Sequence, residues 1–169
     1  MGQFHRKAKN CMKTFNFDYD NVAGIVCMYA IPVDSVTKLH VAPVTKEVSL
    51  NLKAWEEVIQ IPVYKGDSFK TEEKMSIEEG GCVWNVTVSG IIPKRCRLSE
   101  QYIALLEHGE WLALTQDANG VVVLWGTVEV PLLFTHSRST GTTGEMNGAG
   151  FTFSGKEPVA SYILSSFPE

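Results

Sequence analysis

Carboxylates stand in close pairs at four places in this 169-residue sequence, and paired carboxylates are the groups that general acid and base catalysis uses. The pairs are Asp18 with Asp20, Glu56 with Glu57, Glu72 with Glu73, and Glu78 with Glu79. Successive residues of a strand point to opposite faces of a sheet, so we expect the Glu56 and Glu57 side chains to diverge rather than meet at one substrate. The sequence therefore predicts no catalytic carboxylate pair and no catalytic residue of another type.

Residues that commonly bind metals are present but lack the spacing of a metal site. The histidines, His5, His40, His108 and His136, are isolated, and the cysteines, Cys11, Cys27, Cys82 and Cys96, contain no C-x-x-C unit. Asp18 and Asp20 lack the glycine and distal glutamate of a calcium loop. We predict no metal site, no cofactor and no disulfide framework, with Cys27 and Cys82 as buried core thiols.

One segment partly matches a phosphate-binding loop. Residues 150–156, GFTFSGK, have the glycine and lysine spacing of that motif, but Glu157 and Pro158 follow where a serine or threonine and a helix are needed. The inner residues alternate in polarity as in a strand, so a strand is the favoured interpretation. Tryptophans could instead form a ligand platform, but Trp84, Trp111 and Trp125 lie in apolar strand patterns and are predicted to be core, which leaves Trp55 as the platform candidate.

Composition and charge argue against two classes of partner. The net charge is −4 and the pI about 5.6, which does not favour nucleic-acid binding. The one basic cluster, Arg6, Lys7, Lys9 and Lys13, lies in residues 1–20, which we predict to be a loosely held segment. No apolar stretch follows it as in a signal peptide, and none approaches the roughly 20 residues that cross a bilayer. We therefore expect a cytoplasmic protein without a membrane partner.

Alternating apolar and polar residues dominate the pattern and predict a sheet-rich body. Buried strands are expected over residues 22–31 and 82–93. Residues 39–52 should form strands with one face toward solvent, and residues 65–79 an exposed strand or hairpin arm. Asp117, Asn119 and Gly120 supply the turn of a strong hairpin signal. Residues 136–150 are rich in glycine and threonine and are predicted to be a long loop.

One helix interrupts the strands at about residues 99–108. Ser99 is predicted to be its N-cap and Gly109 its left-handed C-cap, and its Leu105 stripe is expected to lie over one sheet or over an open end of the fold. Because the remaining connections are of hairpin length, neighbouring strands should be antiparallel. The predicted fold is mainly β: a single β-rich domain over residues 1–169, forming an antiparallel β-sandwich or partly open β-barrel with one short α-helix.

The second half of the chain resembles a family of small structural proteins. The segments VSGIIPKRC, LLEHGEWLALTQDANGVVVLWGT and NGAGFTFSGKEP are similar, in that order, to tail-associated proteins of Bacteroidetes prophages. The similarity covers residues 81–158, with a weaker echo in DSVTKLHVAPVTKEVSLNL, and the charged residues 65–79 depart from it. The shared pieces are turns and strands, so the resemblance transfers no catalytic residue.

What the resemblance implies is assembly. Small phage tail and head-to-tail proteins close into rings or tubes in which strand edges are covered by the next subunit. The partners would be copies of this chain and other phage structural proteins, first in the host cytoplasm and then in the virion. Candidate interface residues on the exposed arm and the long loop are Lys65, Phe69, Met75, Ser139, Thr143, Met146 and Asn147. The alternatives are a β-sandwich that binds carbohydrate or peptide and, third, an enzyme.

Overall fold

Strands make up most of the computed structural model, which describes residues 24–42, 48–53, 55–62, 69–93, 96–139 and 148–164. The strands are β1 Ile25–Pro32, β2 Val36–Val41, β3 Val48–Leu52, β4 Ile59–Ile61, β5 Lys70–Glu78, β6 Gly81–Pro93, β7 Trp111–Asp117, β8 Val122–Trp125, β9 Leu133–Ser139, β10 Gly148–Glu157 and β11 Tyr162–Leu164. Helix α1 is Arg97–Leu106, and two short 3-10 helices are Val33–Ser35 and Trp55–Glu57. The predictions for residues 1–20, including Cys11, lie outside the described residues.

The strands form two sheets. The larger sheet has the order β2-β3-β11-β8-β7-β1-β4 and curls into a half-barrel, and the smaller has the order β5-β6-β10-β9. Among the described strands the pairing is antiparallel except where Leu164 of β11 meets Val48 of β3 in parallel. The prediction of a mainly β fold with one helix, either a sandwich or a partly open barrel, is confirmed.

The larger sheet is covered on both faces. Met28 and Ala30 of β1 contribute to a core shared with the smaller sheet and α1, whereas Ile31 joins Leu112 and Leu114 of β7 in a second core within the curl. A strand with both faces buried needs apolar residues at successive positions. This double burial explains why residues 25–31 and 111–114 read as unbroken apolar runs.

Helix α1 begins two residues earlier than the sequence suggested. Cys96 is the N-cap, and its backbone N–H donates a hydrogen bond to Oγ of Ser99 over 2.9 Å. The Cys96 side chain in turn accepts a hydrogen bond from the Ser99 backbone, so the two residues form a capping box with Ser99 at its third helical position. The prediction of Ser99 as N-cap is therefore wrong by one turn.

Gly109 does not end the helix. The last helical residue is Leu106, the cap is Glu107, and Gly109 does not have a positive φ. A Cβ atom on Gly109 would instead lie 2.7 Å from the indole ring of Trp111, whose N–H donates to the Leu106 carbonyl over 2.9 Å. The predicted C-cap role is wrong, and the glycine is needed because a tryptophan ring packs against its backbone.

Two apolar stripes run along α1, and the structure buries only one of them. Ser99, Ile103 and Leu106 are buried, which places Ile103 and Leu106 in the shared core. The other stripe, Leu98, Tyr102 and Leu105, is exposed, and Leu105 alone is 56% accessible. Of the two alternatives expected for the Leu105 stripe, burial against a sheet is therefore wrong.

Two predicted hairpins are present. Oδ1 of Asp117 accepts hydrogen bonds from the backbone N–H groups of Asn119, at 2.9 Å, and Val121, at 2.8 Å, and Gly120 adopts a φ of 83° between β7 and β8. Strands β5 and β6 form the second hairpin, which contains most of the predicted exposed arm. Cys82 in this hairpin is exposed, so the prediction of a buried core thiol is wrong there, and Cys27 is half-buried and outside both core clusters.

Substituting Gly90 with alanine tests the packing of aromatic rings on the inner face of the smaller sheet. Gly90 is buried, and an added Cβ would lie 2.8 Å from the Phe151 ring and 2.9 Å from the Phe69 ring. Because neither ring has room to move in a packed core, we expect Gly90→Ala to lower the free energy of unfolding by about 1–3 kcal/mol. Urea denaturation measures it, and Gly80→Ala, where nothing lies within 4 Å, is the control. Equal effects at the two positions would contradict the packing described.

Candidate functional site

The β5–β6 hairpin extends the inner face of the smaller sheet beyond the core. On β6, Val86 and Val88 are buried in the core, and Cys82 and Trp84 continue the same alternating row toward the turn. Their partners across the hairpin are Ile77 and Met75 respectively. We call residues 75–84 the hairpin arm.

The apolar face of the hairpin arm is open to solvent. Ile77 is 80% exposed and Met75 54%, Cys82 is exposed and Trp84 is half-buried. The arm thus presents four adjoining apolar or weakly polar side chains on one face. Such a contiguous patch, unlike a single exposed apolar residue, is typical of an interaction surface.

The opposite face of β5 carries charges of alternating sign. Lys70 and Lys74 flank Glu72 and form ion pairs with it. Hydrogen bonds from Lys74 and Lys70 lower the pKa of Glu72 to about 2. Because β5 is an edge strand, such charges discourage unspecific pairing with other strands while leaving the apolar face available.

A groove separates the edge strand β4 from α1. Its wider part has a volume of about 1040 Å³ and its narrower part about 180 Å³. The two parts share the lining residues Ile59, Gln60 and Tyr102, so they adjoin. We call the two parts together the α1–β4 groove.

The two parts of the α1–β4 groove differ in chemistry. The narrow part is lined mostly by apolar side chains, among them Ile61, Ile92, Leu98 and Leu106. The wide part is the acidic mouth, whose carboxylates are Asp34, Glu56, Glu57 and Glu110, with His108 beside them. Within the described ranges none of these four carboxylates forms an ion pair. The groove therefore combines an apolar channel with a negatively charged mouth.

A carboxylate–histidine hydrogen bond and an ion pair hold α1 in place on the side away from the groove. Glu107 pairs with His136, and Glu100 pairs with Arg138 at 3.0 Å, so both bonds join the helix to β9. The hydrogen bond from His136 lowers the pKa of Glu107. The helix is thus fixed by its buried stripe and one flank, which leaves Leu98, Tyr102 and Leu105 facing the groove or solvent.

A buried carboxyl group lies at the end of β10. Glu157 is 1% exposed, and its Oε1 accepts a hydrogen bond from the Gly126 backbone N–H over 2.8 Å. Its Oε2 is buried and has no partner among the described residues. Burial raises the pKa of Glu157. Glu157 does not line either part of the groove described above, and we assign it to stability rather than chemistry.

Of the seven residues predicted to form an interface, the structure describes Phe69, Met75 and Ser139. Met75 lies on the hairpin arm, but Phe69 is buried at 6% exposure and packs edge-on against Phe151, with ring centroids 5.6 Å apart. Ser139 ends β9. The remaining candidates, Lys65, Thr143, Met146 and Asn147, lie outside the described residues. Of the seven, Met75 is the one whose side chain is seen at an exposed apolar surface.

The tryptophans and the glycine-rich motif are accounted for by the fold. Trp111 and Trp125 are core residues as predicted, whereas Trp84 extends onto the hairpin arm. Trp55, the platform candidate, packs edge-on against Tyr29 with ring centroids 6.3 Å apart. Residues 150–156 lie within strand β10, paired on both sides, as the alternation predicted.

Sequence reasoning missed Ile77, Cys82 and Trp84 of the hairpin arm and the whole α1–β4 groove. The alternation of Met75 with Ile77, set against Cys82 and Trp84 across the Gly80–Gly81 turn, is a signal that could have revealed the arm. The groove had no such signal, because its walls come from distant segments. Across the described chain no three His, Cys, Asp or Glu side chains cluster as metal ligands would.

No family model, curated protein or solved structure matches this chain. In the described part of the chain, no helix has the length and apolar character needed to cross a membrane.

Proposed function

We propose that this protein is a structural subunit of a phage or prophage particle, a tail or head-to-tail component that works by associating with copies of itself. The observation that carries the proposal is the apolar face of the hairpin arm. On one face of the β5–β6 hairpin the exposed Ile77 and Met75 adjoin the half-buried Trp84. Exposed apolar area of this kind is stabilised when a second protein surface removes it from water.

A second copy of the same chain is the occupant that the chemistry of β5 favours. Its outer row alternates lysine, glutamate and lysine at positions 70, 72 and 74, so two such edges can place opposite charges against each other. In a closed ring or tube each subunit would offer the arm to a neighbour, as in other heterologous assemblies. The resemblance of residues 81–158 to Bacteroidetes prophage tail-associated proteins supports the same role, with assembly in the host cytoplasm and a final place in the virion.

Substituting Ile77 with aspartate tests this proposal. A charge at the most exposed apolar position of the arm should weaken self-association by at least about tenfold, since burying one aliphatic side chain contributes roughly 1.5–3 kcal/mol. Mass photometry and electron microscopy across a wide concentration range measure the distribution of oligomers for the parent protein and the variant.

The matched control is Leu133→Asp, an aliphatic-to-aspartate change at a residue that is 61% exposed on β9, the strand at the opposite edge of the smaller sheet from β5. This variant should assemble as the parent does. A parent protein that stays monomeric at every concentration would overturn the proposal. An equal loss of oligomers in the two variants would show that the hairpin arm is not the surface that associates.

A further inference from the structure

The hairpin arm and the α1–β4 groove lie at opposite ends of strand β6. Cys82 and Trp84 belong to the arm, whereas Ile92, near the other end of the strand, lines the narrow part of the groove. The ten positions from Cys82 to Ile92 span about 33 Å, because a strand rises about 3.3 Å per residue. One molecule therefore carries the two surfaces too far apart to contact each other.

The narrow part of the groove has the size and the lining to receive an aliphatic side chain. Its volume is about 180 Å³, and an apolar cavity of about 150 Å³ already holds a molecule of benzene. Its walls include Leu98 and Tyr102, which are 59% and 45% exposed. Met75 and Ile77 of the hairpin arm are exposed on one face of β5, and each is small enough to enter this space.

The arm and the groove also each present a strand edge. β4 is the last strand of the larger sheet and β5 the last strand of the smaller, so each has one edge that no other described strand covers. An uncovered strand edge is a template for a further strand. The groove follows β4, because its consecutive lining residues 56–62 lead from the acidic mouth to the narrow part. Strand β5 of a second copy therefore has a place along β4.

The charges of the arm and of the groove are complementary in one relative direction. Lys70 and Lys74 flank Glu72, so this row of β5 has one positive charge in excess, and both lysine side chains are more than 70% exposed. With β5 parallel to β4 and Ile77 in the narrow part, the lysines lie toward the acidic mouth. Glu78 at the tip of the arm then lies at the far end of the groove. The reverse direction would bring Glu78 to the carboxylates of the mouth, and opposed like charges disfavour it.

We propose that the hairpin arm of one copy of this chain enters the α1–β4 groove of the next copy, with Ile77 in the narrow part and with Lys70 and Lys74 toward the acidic mouth. Two arms that met edge to edge would form an isologous pair, which closes at a dimer. Contact between two different surfaces leaves each pair with a free arm and a free groove, so a third copy can join, as a ring or tube requires. The inference rests on the proposed self-association and names the surface that the arm meets.

Mixing two variants tests the contact, because each variant loses a different half of it. Ile77→Asp changes the arm and keeps the groove, whereas Leu98→Asp places a charge in the narrow part and keeps the arm. We expect each variant alone to associate at least about tenfold more weakly than the parent. An equimolar mixture should form a heterodimer that grows no further, because its one intact arm then occupies its one intact groove. Mass photometry measures the separate variants and the mixture.

The outcomes of the mixing experiment separate this inference from the proposed function. Leu133→Asp is again the control and should assemble as the parent does. If Leu98→Asp also assembles as the parent does while Ile77→Asp does not, the arm meets a surface other than the groove, and this inference fails while self-association through the arm stands. A mixture of Ile77→Asp and Leu98→Asp without heterodimers would likewise overturn it. A parent protein that stays monomeric would overturn both.

Native cysteines provide a second test that leaves the contact intact. Cys82 pairs with Ile77 across the hairpin, Cys96 lines the narrow part of the groove, and both cysteines are exposed. In a C11S/C27S variant, which keeps these two, a short bis-maleimide should join Cys82 of one chain to Cys96 of another. Mass spectrometry of the linked peptides identifies the product.

The control for cross-linking is a C11S/C27S/C96S variant, which keeps Cys82 alone. Its chains should be joined at least about tenfold more slowly than those of the C11S/C27S variant, because neighbouring arms lie apart when each occupies a groove. Equal rates, with Cys82 joined to Cys82, would place arm against arm and overturn the proposal.

Discussion

Replacing Phe153 with alanine is expected to lower the free energy of unfolding by about 3–5 kcal/mol, the typical cost of removing a fully buried aromatic side chain. Phe153 is 0% exposed and lies in β10 between the two sheets. Its ring centroid lies 5.1 Å from that of Phe134 and 5.8 Å from that of Phe151, so its removal leaves a cavity lined by two other rings. Urea denaturation measures the change.

The control for Phe153 is Leu133→Ala on the neighbouring strand β9. Leu133 is 61% exposed and pairs with Ser154, one residue from Phe153. Removing its side chain should change the free energy of unfolding by less than about 0.5 kcal/mol. A loss of under about 1 kcal/mol for Phe153→Ala would mean that the two sheets do not pack as described.

The predicted parts of the fold are those fixed by local patterns. The turn at Asp117–Gly120 is specified by side-chain acceptors and a glycine within four residues, and the structure has that turn. Residues 25–31 were predicted to be a buried strand because they are apolar at successive positions. The sequence could not show that the other face of β1 packs inside the curl of the same sheet. The residues that cover this face lie far away in the sequence, in β3, β8 and β11.

Helix α1 shows why the candidate site was missed. Ser99, Ile103 and Leu106 have the spacing i, i+4 and i+7, and Leu98, Tyr102 and Leu105 have the same spacing one residue earlier. Periodicity predicts a helix from either set but cannot say which set faces the core. The structure buries the set with Ser99, whose hydroxyl is satisfied by the cap. The more apolar set is exposed, and this choice creates the wall of the α1–β4 groove.

The cap itself illustrates the limit of residue preferences. Serine is favoured over cysteine at an N-cap, so Ser99 was the natural choice from sequence. Yet Ser99 contributes to the same capping arrangement from the third helical position, and the Cys96 thiol completes it. A serine at position 99 correctly indicated that a helix starts nearby. Whether this serine is the N-cap or the third helical residue depends on where the chain leaves β6.

Glu157 is expected to make the protein less stable as the pH rises above its ordinary carboxyl pKa of 4.5. Burial raises the pKa of this group, so the folded state binds the proton more tightly than the unfolded state. Stability is then highest with Glu157 protonated and is lost as the pH rises through the raised pKa. Glu72 and Glu107 have lowered pKa values and act in the opposite direction below pH 4.5, so the two effects occupy separate pH ranges.

Two substitutions of Glu157 separate its charge from its hydrogen bond. Glu157→Gln keeps an oxygen for the Gly126 N–H, so its free energy of unfolding should change less with pH above 4.5 than that of the parent. Glu157→Ala leaves that buried N–H without an acceptor and should cost about 1–3 kcal/mol near pH 4, where Glu157 of the parent is protonated. The difference from the parent should shrink as the pH rises, because the alanine variant has no carboxyl group to ionise. Urea denaturation from pH 4 to pH 8 measures both. If the glutamine variant and the parent showed the same pH dependence, Glu157 would be ionised in the folded protein at little cost. Its burial, and an Oε2 atom without a partner among the described residues, argue against that outcome.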